Sequence, residues 1–216
     1  DLHGSDIRIR GEMKPFRWQK TGLIAGYQRP RIGTGHAPDF PSTEQVFTDA
    51  EVPGLANQPN YLHAQAYVDV DFRDYPNNPT SGSFLHVAYG SWDDRTLEQY
   101  NFQRFDANAT HHVPLTKDRK HVVSGRGSVS FVNNAPGNRV PFYVLPYVGG
   151  QDTVRSFREF RFRDENAMSL GAEYRWTPIP WVSGITFADF GKVGHNWQDI
   201  TLGELILVMS YLALLY

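Results

Sequence analysis

Strict alternation of apolar and polar residues is the feature of this sequence that most limits its fold. From residue 61 to residue 73 the even positions are apolar, and the odd positions are polar or amphipathic. The even positions hold Leu62, Ala64, Ala66, Val68, Val70 and Phe72. The odd positions hold Tyr61, His63, Gln65, Tyr67, Asp69, Asp71 and Arg73. Successive side chains of a β-strand point to opposite sides, so this segment predicts a long strand whose two faces meet different surroundings.

The same period of two recurs along the chain and predicts about eight strands. The clear cases are 7–14, 61–73, 104–113 and 168–176, and the weaker ones are 22–28, 84–91, 121–131 and 182–190. The links between them alternate in length, because short turns at 17–20 and 116–119 contrast with Gly-, Pro- and Asn-rich segments at 32–60 and 133–169. Short turns on one rim and long loops on the other are typical of an antiparallel, up-and-down transmembrane β-barrel.

A soluble antiparallel sandwich or barrel would show the same alternation, with its apolar side facing a core. Strand length favours the membrane barrel, because about 9 to 11 residues cross a bilayer whereas soluble strands more often have about 5 or 6. Aromatic residues near the strand ends would suit the girdles that such barrels place at the two membrane interfaces. These residues are Phe16, Trp18, Tyr61, Trp92, Tyr100, Trp176 and Trp181.

Composition argues against several other classes of protein. The chain has no cysteine for disulfides or thiolate metal sites, and its formal charge of −2 offers no broad basic surface to nucleic acid. No apolar run reaches the roughly 18 to 20 residues of a membrane-spanning helix. Neighbouring His111 and His112 would point to opposite faces of a strand, and no Ser/His/Asp or paired-carboxylate arrangement indicates catalysis. We therefore expect no enzymatic activity, no metal site and no cofactor.

The segment 141–157, PFYVLPYVGGQDTVRSF, resembles a loop of the bacterial surface antigen and outer-membrane assembly factor family. In that family a PFY…GG…(V/L)RG(F/Y) sequence lies on a long extracellular loop that folds back inside the barrel. Further segments that resemble the family are 71–74, 79–82, 161–164, 172–176 and 187–193. Together these motifs follow the family's order and spacing over most of residues 5–200.

The resemblance implies a functional loop motif and two acidic partners for its arginine. The motif residues are Gly149, Gly150, Val154, Arg155, Ser156 and Phe157. The family's tip arginine corresponds to Arg155, which in relatives points into the lumen towards acidic residues that correspond here to Asp189 and Glu173. A carboxylate that binds both arms of a guanidinium would offset the water it loses in a confined lumen. Where the family has glycine after the arginine, this chain has Ser156, which predicts a slightly different backbone at the tip.

We expect a single partial outer-membrane β-barrel domain over 1–216, with the inward loop at about 133–168. Residues 201–216 are expected to form an atypical C-terminal tail, because 205–216 shows no alternation where relatives continue with strands that close the barrel. The family's N-terminal strands and its periplasmic peptide-binding (POTRA) repeats are missing as well. We therefore hypothesise an incomplete or frameshifted reading frame, which an intact in-frame gene ending at Tyr216 would reject.

By resemblance, we expect a barrel in the bacterial outer membrane that inserts or exports polypeptides. Its expected partners are the lipid bilayer, unfolded outer-membrane or secreted client polypeptides, and POTRA repeats or accessory lipoproteins that are missing from this chain. Two alternatives stay open. One is a passive pore or structural surface-antigen barrel without assembly activity, and the other is a soluble ligand-binding β-barrel.

Overall fold

The structure, a computed structural model, describes residues 2–34, 41–179, 182–201 and 206–215. Its strands are β1 (Leu2–Phe16), β2 (Gln19–Ile32), β3 (Tyr61–Asp71), β4 (Gly82–Asp94), β5 (Phe102–Pro114), β6 (His121–Asn134), β7 (Tyr147–Val148), β8 (Phe162–Arg163), β9 (Asn166–Ile179), β10 (Val182–Gly194) and β11 (Ile206–Leu215). Helical structure in these ranges is limited to α1 (Thr43–Val46) and two single 3-10 turns, Phe142–Val144 and Trp197–Asp199. None of these helices has the length or the apolar character needed to span a membrane.

Nine strands form one antiparallel sheet in the order β1-β2-β3-β4-β5-β6-β9-β10-β11, and β7 pairs with β8 in a separate small hairpin. The predicted all-β, up-and-down class with about eight strands is confirmed, and the sheet has one strand more than the eight placed in the sequence. The additional strand is β11, which pairs with β10 from Gly191↔Ile206 to Val182↔Leu215. Alternation does not reveal it, because its sequence is apolar almost throughout. Within the nine-stranded sheet, as far as the structure describes it, the end strands β1 and β11 each pair on one side only, so the sheet is an unclosed part of a barrel.

The two longest connections lie on the same rim of the sheet, which we call the long-loop rim, and the opposite rim is the short-turn rim. The short-turn rim carries the β1–β2 turn at 17–18, the β3–β4 link at 72–81 and the β5–β6 turn at 115–120. The long-loop rim carries the β2–β3 link at 33–60 and the β6–β9 link at 135–165, which we call the inward loop. The inward loop is shorter than the expected 133–168, because β6 continues to Asn134 and β9 already begins at Asn166.

The two faces of the sheet differ in exposure, and the apolar face is the exposed one. Leu62 on β3 and Phe72 directly after it are 49% and 57% exposed, whereas His63 and Tyr67 on β3 are only 5% and 6% exposed. Exposed apolar residues on the same face of other strands are Ile7, Ile9, Met13, Leu23, Leu85, Tyr89, Val123 and Leu170. Soluble proteins rarely expose so continuous an apolar surface, whereas apolar-out and polar-in is the pattern of a transmembrane barrel. This orientation opposes the soluble alternative.

Stacked aromatic rings mark the short-turn rim on the apolar face. The rings of Phe16 and Trp18 lie 5.1 Å apart, and those of Trp18 and Phe72 also lie 5.1 Å apart. Aromatic side chains are enriched where a barrel passes from hydrocarbon to head groups. These three rings therefore have the position that the girdle prediction requires.

Three of the other expected girdle residues lie elsewhere, and the girdle prediction was wrong for them. They are Tyr61, Trp92 and Tyr100. Tyr61, Tyr100 and Phe102 form a buried core on the polar face beneath the long loops, and Trp92 packs against it. Tyr61 is 0% exposed. Position near a strand end cannot show whether an aromatic ring points outward or inward, and here the long loops cover the inner side. Trp181 lies outside the described residues.

Candidate functional site

The inward loop packs against the polar face of the sheet, which is the lumen side. Val148 and Val154 are buried and contact Ala167 at the start of β9. The loop lies close over Gly191 of β10, where a Cβ atom would lie 2.6 Å from Val148 and 2.8 Å from Val154. These distances are shorter than real Cβ contacts, so a side chain at Gly191 would displace the loop.

Two glycines shape the tip of the inward loop. Gly149 and Gly150 have φ angles of +128° and +89°, in the region where residues with a Cβ are strained. A Cβ at Gly149 would also lie 2.3 Å from the carbonyl oxygen of Arg158. The Gly150 N–H donates to the carbonyl of Phe157 at 3.0 Å, which closes the tip. This turn presents Arg155 to the wall formed by β9 and β10.

The structure brings Arg155 together with both acidic residues that the family resemblance implies. Its Nε donates to Asp189 Oδ2 at 2.9 Å, and its Nη2 donates to Asp189 Oδ1 at 3.0 Å. Its backbone N–H also donates to Asp189 Oδ2, at 3.1 Å. Its Nη1 donates to Glu173 Oε2 at 2.5 Å, and its guanidinium carbon lies 3.5 Å from the ring centre of Phe187. Two-pronged pairing with a carboxylate and stacking on a ring both suit a guanidinium withdrawn from water.

The remaining motif residues have packing or surface positions. Val154 and Phe157 belong to the apolar contact between loop and sheet, and the Phe157 ring lies 5.1 Å from that of Phe162 on β8. Ser156 is exposed beside Arg155. Among the motif residues, Arg155 thus makes the charged contacts with the sheet, while the others shape or seat the tip.

A second arginine, Arg126 on β6, also reaches Asp189, and sequence reasoning missed it. Its Nη2 lies 2.9 Å from Asp189 Oδ1, and its Nη1 and Nη2 donate to the loop carbonyls of Gln151 at 2.7 Å and Thr153 at 2.6 Å. Asp189 is 0% exposed, so two arginines surround one buried carboxylate. The available signal was that Arg126 is the only Lys, Arg, Asp or Glu residue of β6 and falls in its polar phase.

The β3–β4 link folds across the lumen at the opposite rim. Arg119 Nη1 donates to Asp74 Oδ2 at 2.8 Å, and Arg175 of β9 donates to Asn78 Oδ1 and to the Pro79 carbonyl. Strands β4, β5 and β6 separate β3 from β9, so these contacts require a curved sheet. Although burial opposes it, hydrogen bonds from the Thr80 hydroxyl and from the Thr80, Ser81 and Tyr75 N–H groups hold the pKa of Asp74 well below its usual range. The carboxylate therefore stabilises the link above its ordinary pKa, and this contribution is lost as the pH falls through the lowered pKa.

Comparison with known proteins agrees with this architecture. The model of the Omp85 superfamily domain matches residues 49–204. The crystal structure of BamA from Haemophilus ducreyi lacking POTRA domains 1-3 superposes with a TM-score of 0.68 at 15% sequence identity. The match covers 92% of this chain and 43% of that chain, so this chain spans less than half of the BamA chain. The resemblance carried by the loop and strand motifs is thereby confirmed. The chain belongs to the Omp85 superfamily, and its sheet is part of a bacterial outer-membrane β-barrel.

Proposed function

We propose that this barrel acts in the insertion or export of polypeptides at the bacterial outer membrane. The observation that carries the proposal is the inward loop, whose Arg155 is held by Asp189 and Glu173 against the lumen wall. A passive barrel has little need to bury an arginine–carboxylate cluster, since desolvating such a cluster offsets much of its attraction. Membership in the Omp85 superfamily supports the same assignment.

In the proposed mechanism, the docked loop keeps the lumen ordered while a client strand pairs with an open strand edge of the barrel. Unpaired N–H and C=O groups at a sheet edge are a template for an incoming strand. Folding of the client would supply the free energy, without a nucleotide. The proposed partners are unfolded outer-membrane or secreted polypeptides, with POTRA repeats or accessory lipoproteins delivering them.

Client insertion into vesicles tests this function. We expect the chain reconstituted in lipid vesicles to speed the folding of an unfolded outer-membrane protein, measured as protease-resistant client over time. Replacing Arg155 with alanine should lower this rate and speed proteolysis between Gly149 and Asp164. Loop opening should rise at least about tenfold, because even a single hydrogen bond to a charged group contributes about 1.5–3 kcal/mol.

Arg158→Ala is the matched control, because Arg158 lies on the same loop with an exposed side chain. It should leave both client folding and loop proteolysis unchanged. If wild-type chain conducts ions across the bilayer but does not change client folding, the proposed function is wrong and the passive pore is correct.

The passive pore is the second candidate, and a lumenal cavity favours it. The cavity has a volume of about 430 Å³ and lies between the inward loop and strands β5, β6 and β9. Polar side chains that include Arg104, Asp106 and Ser128 line it. Such a lining would hold water, so single-channel conductance with and without a client distinguishes the two functions.

A further inference from the structure

We propose that Arg126 and Gly171 form a second latch, which holds the inward loop in addition to Arg155 and keeps Asp189 paired when the loop tip moves. The latch would let the tip release in a first step while the loop stays tethered to the sheet. The proposal deepens the proposed function and rests on it for its role in handling clients. The geometry of the latch, however, can be tested without a client.

The latch residues occupy one row across three neighbouring strands. Arg126 on β6 pairs in register with Gly171 on β9, and Gly171 pairs in turn with Asp189 on β10. Neighbouring strands are about 4.8 Å apart, so Arg126 must cross the whole width of β9 to reach the carboxylate. An arginine side chain is long enough for this crossing if nothing on β9 stands in its way.

Gly171 leaves that path open. A Cβ atom at Gly171 would lie 2.5 Å from Arg126 Nε, 2.8 Å from Arg126 Cγ and 2.8 Å from Asp189 Oδ1. Any side chain here would therefore push the guanidinium away from the carboxylate. The situation differs at Gly125, the neighbour of Arg126 on β6, where a Cβ would meet no atom within 4 Å.

Arg126 lies on the sheet and binds backbone carbonyls of the loop, whereas Arg155 belongs to the loop tip and binds Asp189 with its side chain and its own backbone N–H. The two carbonyls that Arg126 binds, at Gln151 and Thr153, precede the tip arginine in the chain. The Arg126 side chain is 22% exposed and Asp189 is 0% exposed, so departure of Arg155 leaves the buried carboxylate with a cationic partner already in place. A lone buried carboxylate would be costly, and the second arginine removes that cost.

A single-cysteine reporter measures loop docking directly. The chain has no cysteine, and Val154 of the inward loop is 0% exposed where it packs against the sheet. In Val154→Cys chain reconstituted without a client, we expect Arg126→Met and Gly171→Ala each to raise the rate of maleimide labelling by about tenfold, the effect of losing hydrogen bonds to a charged group. Gly125→Ala is the matched control and should label at the wild-type rate. Equal rates for Gly171→Ala and Gly125→Ala would overturn the latch.

Combined variants separate a latch from a general loss of stability. Arg126→Met together with Arg155→Met should raise labelling by more than the product of the single effects, because only the pair leaves Asp189 without a cation. Adding Asp189→Asn should then restore part of the protection by removing the stranded charge. If the double variant equals that product and Asp189→Asn restores nothing, the two arginines do not share Asp189 and the proposal is wrong.

Two further measurements distinguish the latch from a loss of folding and from a failure of the proposed function. Arg126→Lys keeps a charge for Asp189 but lacks the fork that binds two carbonyls, so it should fold and still label faster than wild type. If Arg126→Lys labels at the wild-type rate, Arg126 does not hold the loop through its two backbone carbonyls. Since no client is present, a chain that fails to insert clients but shows the expected labelling refutes the proposed function and leaves the latch intact.

Discussion

Replacing Asp189 with alanine is expected to release the inward loop and to lower the free energy of unfolding by about 3–5 kcal/mol, the cost of removing one partner from a buried ion pair. Asp189 accepts three hydrogen bonds from Arg155 and lies 2.9 Å from Arg126, so its loss strands two guanidinium groups at once. The loop then depends on the Glu173 contact, on the hydrogen bonds that Arg126 donates to its carbonyls, and on its apolar packing. Guanidinium unfolding of the reconstituted chain measures the change.

Asp71→Ala is the control for this variant. Asp71 also pairs with an arginine, Arg73, but that pair is partly exposed and lies two residues apart on the short-turn rim. Exposed pairs of this kind contribute about 0–1 kcal/mol. A loss at Asp189 no larger than the loss at Asp71 would show that the buried cluster does not hold the loop.

Placing an arginine at Ala66 is expected to cost about 2–4 kcal/mol of folding into a bilayer, as charges do near the middle of a lipid-facing barrel strand. Ala66 lies at the centre of β3 on the apolar face, between the exposed side chains of Leu23 and Tyr89 on the neighbouring strands. A guanidinium there would enter hydrocarbon. Denaturant titration in lipid vesicles measures this cost.

The adjacent Gln65→Arg variant provides a control of identical chemistry. Gln65 points to the polar face, where arginines already lie, so the added charge should stay hydrated and cost much less. Equal costs at the two positions, or a larger cost at Gln65, would contradict the assignment of the faces.

On the polar face, glycines of β2 likewise leave room for side chains of β3 to reach β1. Tyr67 of β3 donates to Glu12 of β1 at 2.5 Å, and a Cβ at the intervening Gly22 would lie 2.4 Å from the tyrosine ring. His63 likewise lies 3.4 Å from Asp6 of β1, across Gly26. Polar side-chain contacts between β1 and β3 thus pass over β2 and link residues of the lumenal face.

Alternation predicted the strands well because each face of a barrel strand meets a different solvent. In β3, the thirteen-residue pattern marks the strand to within a few residues of its bounds, Tyr61–Asp71. The same rule could not detect β11, since a segment that is apolar at nearly every position carries no period. It also could not show that Tyr61 is buried, because its burial depends on loops far away in sequence.

The site was predicted in part, and the missing part depends on strand register. Arg155 and its acidic partners followed from the family resemblance, since the motif residues can be recognised in the sequence. Arg126 and Gly171 become meaningful only when β6, β9 and β10 are aligned, which places the two residues and Asp189 in one row. Sequence alone gives no register between strands separated by a loop that spans 135–165. No pattern within the sequence therefore marks Arg126 or Gly171 as part of the site.

The orientation of the two faces is the claim on which the other conclusions depend, and a spin-label scan of β3 in lipid vesicles tests it most directly. Single cysteines can be placed from Leu62 to Val70 because the chain contains none of its own. Even-numbered positions should be accessible to oxygen dissolved in the lipid, and odd-numbered positions should be shielded from it. An opposite phase, or accessibility that does not alternate between neighbouring positions, would contradict a barrel whose apolar face meets the membrane.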